Sequence, residues 1–508
     1  MSCEEEKQNP NKNLSLEAFS ALSEPQYALN SHQIRHYLEK LVREDEDSLV
    51  ASSRVRGYYR AARPFLWIDR HGLDARADTM LSYIASVGSM GLSTDVFCYS
   101  QIKRDLKRVR ELDVDGDGKD INKLFARLEY NLTKACLRYA SGMNFGFVNP
   151  DKVLNEFDVR EADSLHVVYH RLYDVKTSRP NSQFYEAVLS KVAHDSLAIY
   201  LPALEPSDKL YRKLKQRLAG ANVSHGMRVK ILCNMERQRW QQAIVTDRLK
   251  KYVLVNIPAF KLYAVCPDST LEMRIGCGTV KTKTPLLNSE IKRMDINPQW
   301  IVPRSIIEKE VARHAGNVGY FERQRMFVRH LRSGKKIQPQ HITWGMLHSK
   351  DYTVVQEGGE GNSLGRIIFR FDNNFSVFLH DTSSKAFFSR DNRGVSHGCV
   401  RVERPLELAI FLLDDKDEDT IEKLRYSMTV RLSQKHIAND GNDDDEDEEE
   451  DDGIDRSKLI STLDVGPHVP IFITYYTLYP NAEGELREYP DVYGYDRVVY
   501  QNLKHYVE

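Results

Sequence analysis

The segment Phe378–Arg401 reads FLHDTSSKAFFSRDNRGVSHGCVR and decides how this chain is interpreted. His380 precedes Cys399 by nineteen residues. A cysteine thiol has a pKa of about 8.5, so it becomes a nucleophilic thiolate near neutral pH only when a base accepts its proton. A histidine that the fold brings close supplies that base. Two strands joined by a loop of this length would bring the side chains together, so the segment predicts a cysteine–histidine pair.

The residues just before the cysteine favour the same interpretation. Gly398 is small enough to let a substrate carbonyl approach the backbone, where nearby amide N–H groups would hold a developing oxyanion. A buried, unreactive thiol is the ordinary interpretation of a single cysteine. The unbroken run from Ser396 to Arg401, together with the spaced His380, is much more specific.

This motif resembles that of the L,D-transpeptidase (YkuD) catalytic domain, which has His, a gap, Ser-His-Gly-Cys, an apolar residue and Asn or Arg. Other stretches of the chain are similar to the same family. They are Tyr252–Pro258, Gly276–Val280, Lys283–Pro285, Asn297–Pro303, Asn362–Arg366, Val469–Thr477 and Asp491–Asp496. The last two resemble the end of the large, YcbB-like branch.

The N-terminal half also resembles that branch. Its recurring pieces here are Arg63–Trp67, Gly91–Leu92, Leu128–Thr133 and Asn234–Trp240. The resemblance covers about residues 28–500, and we interpret the chain as a Gram-negative lipoprotein form of the branch.

An α+β fold is therefore expected, with a helical scaffold domain followed by a mainly β catalytic domain that carries an inserted helical lid. Apolar residues at spacings of three and four predict helices near 30–43, 75–88, 122–141, 183–198 and 207–218. Short strands and turn residues dominate after 251. The expected ranges are a tether at 1–27, the scaffold at 28–250, the catalytic domain at 251–436 with its lid at about 304–361, an acidic disordered insertion at 437–457, and a C-terminal strand and tail at 458–508 that complete the catalytic and scaffold domains.

The resemblance implies a peptidoglycan L,D-transpeptidase that forms 3-3 cross-links. Cys399 would attack the carbonyl of the diamino acid at position three of a tetrapeptide stem and release the terminal D-Ala. His380 would accept the thiol proton and later deprotonate the acceptor amine. Neither a cofactor nor a metal is expected, because the thiolate is itself the nucleophile. Carbapenems, which acylate this cysteine in the family, are expected to react, and penicillins less so.

Roles for six more residues follow from the resemblance. Backbone around His397 and Gly398 would orient His380 and hold the oxyanion, while Ser396 would help to hold the site. Arg401 would pair with a stem carboxylate or fix its own loop. Trp344 and Tyr320 are the lid aromatics expected to touch substrate, and a place in the lid core is an equal alternative.

Three alternatives remain open from the sequence. Water instead of an amine would resolve the same acyl-enzyme, which would make the protein an L,D-carboxypeptidase or another hydrolase. A catalytically silent, wall-associated scaffold is a different class, and the intact His380 and Cys399 argue against it. A cytosolic cysteine peptidase is weaker still.

Composition sets broad limits. The 508 residues are 41% hydrophobic and 29% charged, which is ordinary for two or three globular domains. The chain contains no run of eighteen apolar residues, so no transmembrane helix is predicted. The net charge is −1, and without the ten acidic residues of Asp443–Asp452 the basic residues would exceed the acidic ones by nine. A basic excess in the rest of the chain would suit binding to an anionic wall polymer, although ordinary surface charge explains the excess equally well. No nucleic-acid partner is expected.

Seven scattered cysteines do not form a disulfide framework. Cys98, Cys136, Cys233, Cys266 and Cys277 are interpreted as buried thiols. Cys3, which follows Met1-Ser2, resembles the end of a lipoprotein signal, so we expect lipid on Cys3 and a periplasmic or cell-envelope location, as an outer-membrane lipoprotein. A cytosolic chain with a chance cysteine is the alternative.

Three departures from the branch stand out. Only Ala219–Lys230 lies where relatives commonly carry a peptidoglycan-binding-like module. Phe378 stands where relatives often carry Tyr, so any hydroxyl role there is absent. The acidic block Asp443–Asp452 is expected to be a solvated insertion.

Asp113–Gly118 resembles an EF-hand start, but Asp120 and Leu124 occupy its eighth and twelfth places, so a polar turn is the better interpretation.

Overall fold

The computed structural model describes residues 29–69, 72–111, 113, 120–162, 167–240, 249–415, 417–431 and 454–507. The predictions about Cys3, about the acidic block Asp443–Asp452 and, apart from Asp113, about the Asp113–Gly118 turn lie outside these residues. The predicted fold class is confirmed, since helices dominate the first half and strands the second.

Among the described residues of the scaffold region there are ten α-helices: α1 Ser31–Glu44, α2 Val50–Arg60, α3 Ala75–Ser86, α4 Tyr99–Glu111, α5 Ile121–Phe145, α6 Pro150–Asn155, α7 Ser182–Ala193, α8 Leu197–Tyr200, α9 Lys209–Leu218 and α10 His225–Arg239. Short strands accompany them: β1 Ile68–Asp69, β2 Gly72–Leu73, β3 Val159–Ala162, β4 Val167–Tyr169 and β5 Tyr173–Asp174. All five predicted helical segments are present. Among the described residues no helix is both long and apolar enough to cross a membrane.

Helix α5 is the centre of the scaffold and is buried along most of its length. It begins where the Asp120 side chain accepts a hydrogen bond from the Asn122 amide and ends at Gly146, whose φ of 80° suits glycine. Its buried Glu129 accepts the amides of Leu66 and Trp67 at 2.5 and 2.9 Å. Burial raises the pKa of Glu129 to about 7. A carboxylate this deep is tolerated because backbone donors satisfy it.

The catalytic region is a closed barrel of eight strands: β6 Tyr252–Asn256, β7 Lys261–Cys266, β8 Ser269–Gly278, β9 Leu286–Ile296, β14 Ile367–Phe371, β15 Leu379–His380, β17 Val400–Val402 and β18 Thr462–Thr474. Their order around the barrel is β14-β15-β17-β8-β7-β6-β18-β9, and β9 pairs back with β14. Strand β16 Gly394–Ser396 adds to β8, and β5 of the scaffold adds to β9. Closure leaves no exposed edge among these eight strands.

The barrel is filled by alternating apolar side chains. Leu379 and Val400 lie opposite each other in the parallel β15–β17 pair, and both are fully buried in the barrel core. Since side chains alternate along a strand, the neighbours of these two residues point to the other face. This alternation positions the site described below.

The C-terminal residues return to the scaffold. After β18 come β19 Leu478–Pro480, β20 Leu486–Glu488 and helix α16 Tyr495–Val507, which follows α14 Pro405–Leu412 and α15 Glu418–Thr429 in chain order. Leu503 and Tyr506 of α16 pack in the scaffold core. The Arg237 guanidinium of α10 pairs with Asp496 at 2.5 Å, and both side chains are buried. These contacts join the end of the chain to its first half.

The insert between β9 and β14 has its own small core. It contains helices α11 Arg304–Ile306, α12 Val318–Arg323 and α13 Trp344–His348, a π-helical turn Ile307–Val311, and a four-stranded sheet of β10 Trp300–Ile301, β11 Met326–His330, β12 Lys336–Ile337 and β13 Tyr352–Gln356. The predicted helices are present. The sheet was not predicted, because its strands are short and only tertiary packing stabilises them.

Candidate active site

Strand pairing brings the predicted cysteine and histidine together. In the β15–β17 pair, His380 lies opposite Arg401, and the Val400 amide donates to the Phe378 carbonyl at 3.1 Å. Because Leu379 and Val400 enter the core, Phe378, His380, Cys399 and Arg401 share the opposite face. His380 and Cys399 are therefore diagonal neighbours on two hydrogen-bonded strands.

That face opens into a cavity of about 650 Å³. One wall, which we call the floor, is formed by barrel residues Ser363, Leu364, Ile368, Arg370, Phe375–Phe378, His380, Ser396, His397, Cys399 and Arg401. The other wall, the roof, is formed by insert residues and the chain leading into them: Gln299–Ile301, Pro303, Ser305, Ile306, Glu310, Val311, Tyr320, Gln324 and Met326. A cavity of this volume accommodates a peptide fragment or a drug-sized molecule.

His380 is held as a neutral base. It is 3% exposed, and burial, together with the nearby positive charge of Arg401, lowers its pKa to about 4. Its Nδ1 lies 2.5 Å from the Asp381 carbonyl oxygen. A carbonyl only accepts, so the neutral ring carries its proton on Nδ1 and its lone pair on Nε2.

Cys399 is a protonated thiol at rest. Burial raises its pKa, while a backbone hydrogen bond from Phe378 and the charges of Arg401 and Arg370 lower it in part. Its Sγ lies 3.9 Å from the Ser376 carbonyl oxygen, and the side chain remains partly exposed to the cavity. The resting site is thus a neutral thiol–imidazole pair, and the proton would move when a substrate carbonyl is attacked.

Short hydrogen bonds fix the loop that carries the nucleophile. Ser396 Oγ donates to the Cys399 carbonyl at 2.6 Å and accepts the Gly398 amide at 3.1 Å. From below, Thr284 Oγ1 donates to the Gly398 carbonyl at 2.8 Å, and Thr282 Oγ1 donates to the Ser396 carbonyl at 2.8 Å. These contacts are the ones through which Ser396 would hold the site, and that role stays a prediction.

The backbone of this loop bears on the predicted oxyanion site. Gly398 has a φ of 124°, a conformation that favours glycine. Its amide is already occupied by Ser396 Oγ. Among the described residues the Cys399 amide donates no hydrogen bond, so that N–H is available to an oxyanion.

Asp381 fixes the histidine strand from the other side. Its buried carboxylate accepts the Arg366 amide at 2.9 Å and pairs with Lys385. A Cβ on Gly365, whose φ is 64°, would lie 2.4 Å from this carboxylate, so only glycine fits there. The Asn362–Arg366 stretch thereby helps to position the Asp381 carbonyl that orients His380.

Two guanidinium groups give the floor positive charge. Arg401 has no carboxylate within ion-pair distance among the described residues, and its buried Nε has no hydrogen-bond partner. Arg370 donates from Nε to Asp295 at 2.7 Å and lies 5.2 Å above the Phe378 ring. Both groups can attract a carboxylate that enters the cavity.

The three other predicted side chains lie in different places. His397 lines the cavity, and its Nε2 lies 3.0 Å from Glu310 Oε1 of the roof. Tyr320 also lines the cavity and stacks on His314 with ring centroids 3.8 Å apart. Trp344 is 62% exposed, stacks on His348 and is not among the lining residues. Any substrate contact of Trp344 would therefore be on the outer surface of the lid.

Sequence reasoning missed Arg370, Glu310 and the roles of Thr282 and Thr284. The Lys283–Pro285 stretch was noticed only as a resemblance, and its proximity to the nucleophile loop depends on the β8–β9 connection. Glu310 stands in a charged, helix-prone stretch with no motif around it. The thiol predictions were correct for Cys136, Cys233 and Cys277, whereas Cys98 and Cys266 are partly exposed rather than buried.

Comparison with known proteins agrees with this geometry. Residues 250–422 match the family profile of an L,D-transpeptidase catalytic domain (YkuD), and residues 53–218 match a scaffold domain profile. A Haemophilus influenzae protein named "Putative L,D-transpeptidase" is 26% identical over 330 residues, which cover 64% of this chain and 60% of that protein. The chain thus spans about three fifths of the length of that curated relative.

Proposed function

We propose that this chain, whose residues 250–422 match the profile of an L,D-transpeptidase catalytic domain (YkuD), forms 3-3 cross-links in peptidoglycan. The substrate would be a tetrapeptide stem, and the product of the first half-reaction an acyl-enzyme on Cys399 with release of the terminal D-Ala. The observation that carries this proposal is the neutral His380–Cys399 pair on one wall of a cavity large enough for a peptide stem.

In the first half-reaction the Cys399 sulfur attacks the carbonyl carbon of the third stem residue while its proton passes to His380 Nε2. The carbonyl oxygen becomes an oxyanion, which the Cys399 amide stabilises. When the C–N bond to D-Ala breaks, the imidazolium returns its proton to the leaving amine. A thioester and free D-Ala result, and His380 is neutral again.

In the second half-reaction an amine of another stem attacks the thioester. His380 accepts a proton from the attacking nitrogen, the C–S bond breaks, and the proton returns to the Cys399 sulfur. Water in place of the amine would give a tripeptide by the same route. The acceptor therefore decides between transfer and hydrolysis, and the carboxylates of the stems would lie near Arg401 and Arg370.

Product analysis by mass spectrometry tests the proposal. Purified protein and Cys399→Ala are each incubated with disaccharide-tetrapeptide. A dimer whose mass is that of two monomers less one D-Ala, seen only with Cys399 intact, supports transpeptidation. Tripeptide alone would assign hydrolysis instead. Neither product, together with no carbapenem adduct on Cys399, would favour a catalytically silent scaffold.

The place of action belongs to the same proposal. A protein that cross-links peptidoglycan acts in the cell envelope, and we propose a periplasmic location with lipid on Cys3 as the anchor to the outer membrane. Intact-mass analysis of the protein purified from its native membrane would reveal an acylated Cys3. An unmodified Cys3 in the native product would reject the anchor without touching the catalytic proposal.

A further inference from the structure

We infer that Glu310 of the roof binds the ammonium group of the acceptor and thereby directs the acyl-enzyme toward transfer rather than hydrolysis. This inference rests on the proposed function, since it assigns the acceptor an amine and a place in the same cavity. It makes Glu310 a specificity-determining residue, separate from the Cys399–His380 pair that carries out the chemistry.

The charges of the cavity are divided between its two walls. Among the described lining residues Glu310 is the only carboxylate, and it belongs to the roof. The two guanidinium groups, Arg370 and Arg401, belong to the floor. A ligand that carries both carboxylate and ammonium groups is complementary to this division. A peptide stem with a diamino acid is such a ligand.

Local structure points Glu310 into the cavity. The turn Ile307–Val311 is π-helical, a rare widened geometry that often occurs at functional sites. Ile307 and Val311 enter the small core of the insert. The Glu310 side chain between them is left 45% exposed and lines the cavity.

Glu310 also lacks the ion pairs with Lys or Arg that Glu308 and Glu357 of the insert have. Glu308 pairs with Arg304 at 2.8 Å, and Glu357 pairs with Lys336 at 3.1 Å. Glu310 has no Lys or Arg within ion-pair distance among the described residues, and its contact is His397 Nε2 at 3.0 Å. His397 is itself 53% exposed. A half-exposed carboxylate with a single imidazole partner keeps lone pairs free for an ammonium group.

The position suits the second half-reaction. Glu310 and Cys399 line the same cavity, and His397, which Glu310 contacts, lies two residues before Cys399. One ammonium proton is lost to water, the amine nitrogen bonds to the thioester carbon, and a second proton passes to His380 Nε2. The C–S bond then breaks and that proton moves to the Cys399 sulfur. A water molecule has no cationic group, so hydrolysis of the same thioester does not need Glu310.

The test separates acylation from transfer. Glu310→Gln keeps the shape and removes the charge, and Glu308→Gln is the matched control on the same turn, outside the cavity. Each protein is given disaccharide-tetrapeptide as donor and a tripeptide stem with a free side-chain amine as acceptor. Intact-mass spectrometry follows acylation of Cys399. Chromatography follows the ratio of dimer to the disaccharide-tripeptide that hydrolysis of the donor produces.

Acylation by the donor is expected to stay within about twofold in both variants. In Glu310→Gln the KM for the acceptor should rise about tenfold, as for loss of one charge-assisted hydrogen bond, and tripeptide should increase at the expense of dimer. Glu310→Asp should recover part of the transfer. Glu308→Gln should behave like the unmodified protein.

Two results would overturn the inference. An unchanged dimer-to-tripeptide ratio in Glu310→Gln would show that the carboxylate does not bind the acceptor. Acylation slowed as much as transfer would show that Glu310 acts by holding the His397 loop. Failure of the unmodified protein to acylate at all would instead reject the proposed function, a different outcome because it precedes any acceptor.

Discussion

The floor and the roof of the cavity are built differently. The floor belongs to a closed barrel, and its nucleophile loop is fixed by hydrogen bonds from Ser396, Thr282 and Thr284 at 2.6–2.8 Å. The roof belongs to an insert with a small core of its own, and Glu310 of the roof meets the loop before Cys399 through a half-exposed contact with His397.

This difference separates chemistry from selection. In the proposed mechanism, a preorganised floor would keep Cys399 and His380 in place at no cost during reaction. A roof with few polar contacts to the floor can shift or exchange ligands without disturbing the reacting groups. Changes in the floor should therefore lower the rate of acylation, while changes in the roof should alter which acceptor is used.

The largest effect is expected at the nucleophile. Cys399→Ala should abolish both the dimer and the carbapenem adduct, because the bond-forming sulfur is gone. Cys277→Ala is the control, since this thiol is buried in the barrel and burial raises its pKa to about 12. Carbapenem labelling followed by mass spectrometry checks both variants. A persistent adduct in Cys399→Ala would contradict the assignment of the nucleophile.

Removal of the base should cost somewhat less. His380→Ala should lower the rate of acylation by roughly 100- to 10,000-fold, the usual contribution of a positioned general base. Single-turnover acylation by the donor measures this rate. Since His380 is buried, thermal unfolding of the variant should be recorded beside it. A folded variant that acylates at the original rate would remove His380 from the mechanism.

The resting protonation state predicts a pH dependence. Because the Cys399 pKa is raised, its thiolate fraction should increase about tenfold per pH unit across neutrality, or roughly 100-fold from about pH 6 to pH 8. His380 stays neutral until the pH falls toward about 4, so it adds no change in this range. The rate of iodoacetamide alkylation of Cys399 checks this. A flat profile would instead indicate a thiolate–imidazolium pair.

The support beneath the floor should matter next. Thr284→Val deletes the hydroxyl that donates to the Gly398 carbonyl and accepts the Gly278 amide, each at 2.8 Å. Unsatisfied buried groups cost about 1–3 kcal/mol, and a displaced loop should slow acylation roughly tenfold or more. Thr284→Ser retains the hydroxyl and should remain close to the original rate. Equal loss in both variants would point to the methyl group instead.

The smallest effect is expected on the outer surface of the insert, away from the cavity. Trp344→Ala should leave turnover of soluble disaccharide-tetrapeptide within about twofold, because exposed single substitutions seldom alter distant sites. The predicted substrate contact of Trp344 would then be visible only with polymeric peptidoglycan. Turnover of both substrates by the same variant tests this. A large loss with the soluble fragment would bring Trp344 into the cavity.

Much of the floor could be predicted from the sequence. The motif from Ser396 to Arg401 and the spaced His380 predicted the cysteine–histidine pair. Side chains alternate along each strand, so His380 and Cys399 share one face because Leu379 and Val400 enter the core on the other. Apolar residues at spacings of three and four predicted the scaffold helices, because such a spacing places them on one face of a helix. These features are local, so a short window of residues contains them.

Only the tertiary structure decided the roof and the charge of the cavity. Glu310 lies about ninety residues before Cys399, and its contact with His397 depends on how the insert packs against the barrel. The Thr284 hydroxyl reaches Gly398 through the pairing of distant strands. The sequence by itself thus predicted the resemblance to the family and the pairing of His380 with Cys399, because local patterns encode them. Folding decided which charges face the nucleophile, because that depends on contacts between residues far apart in the chain.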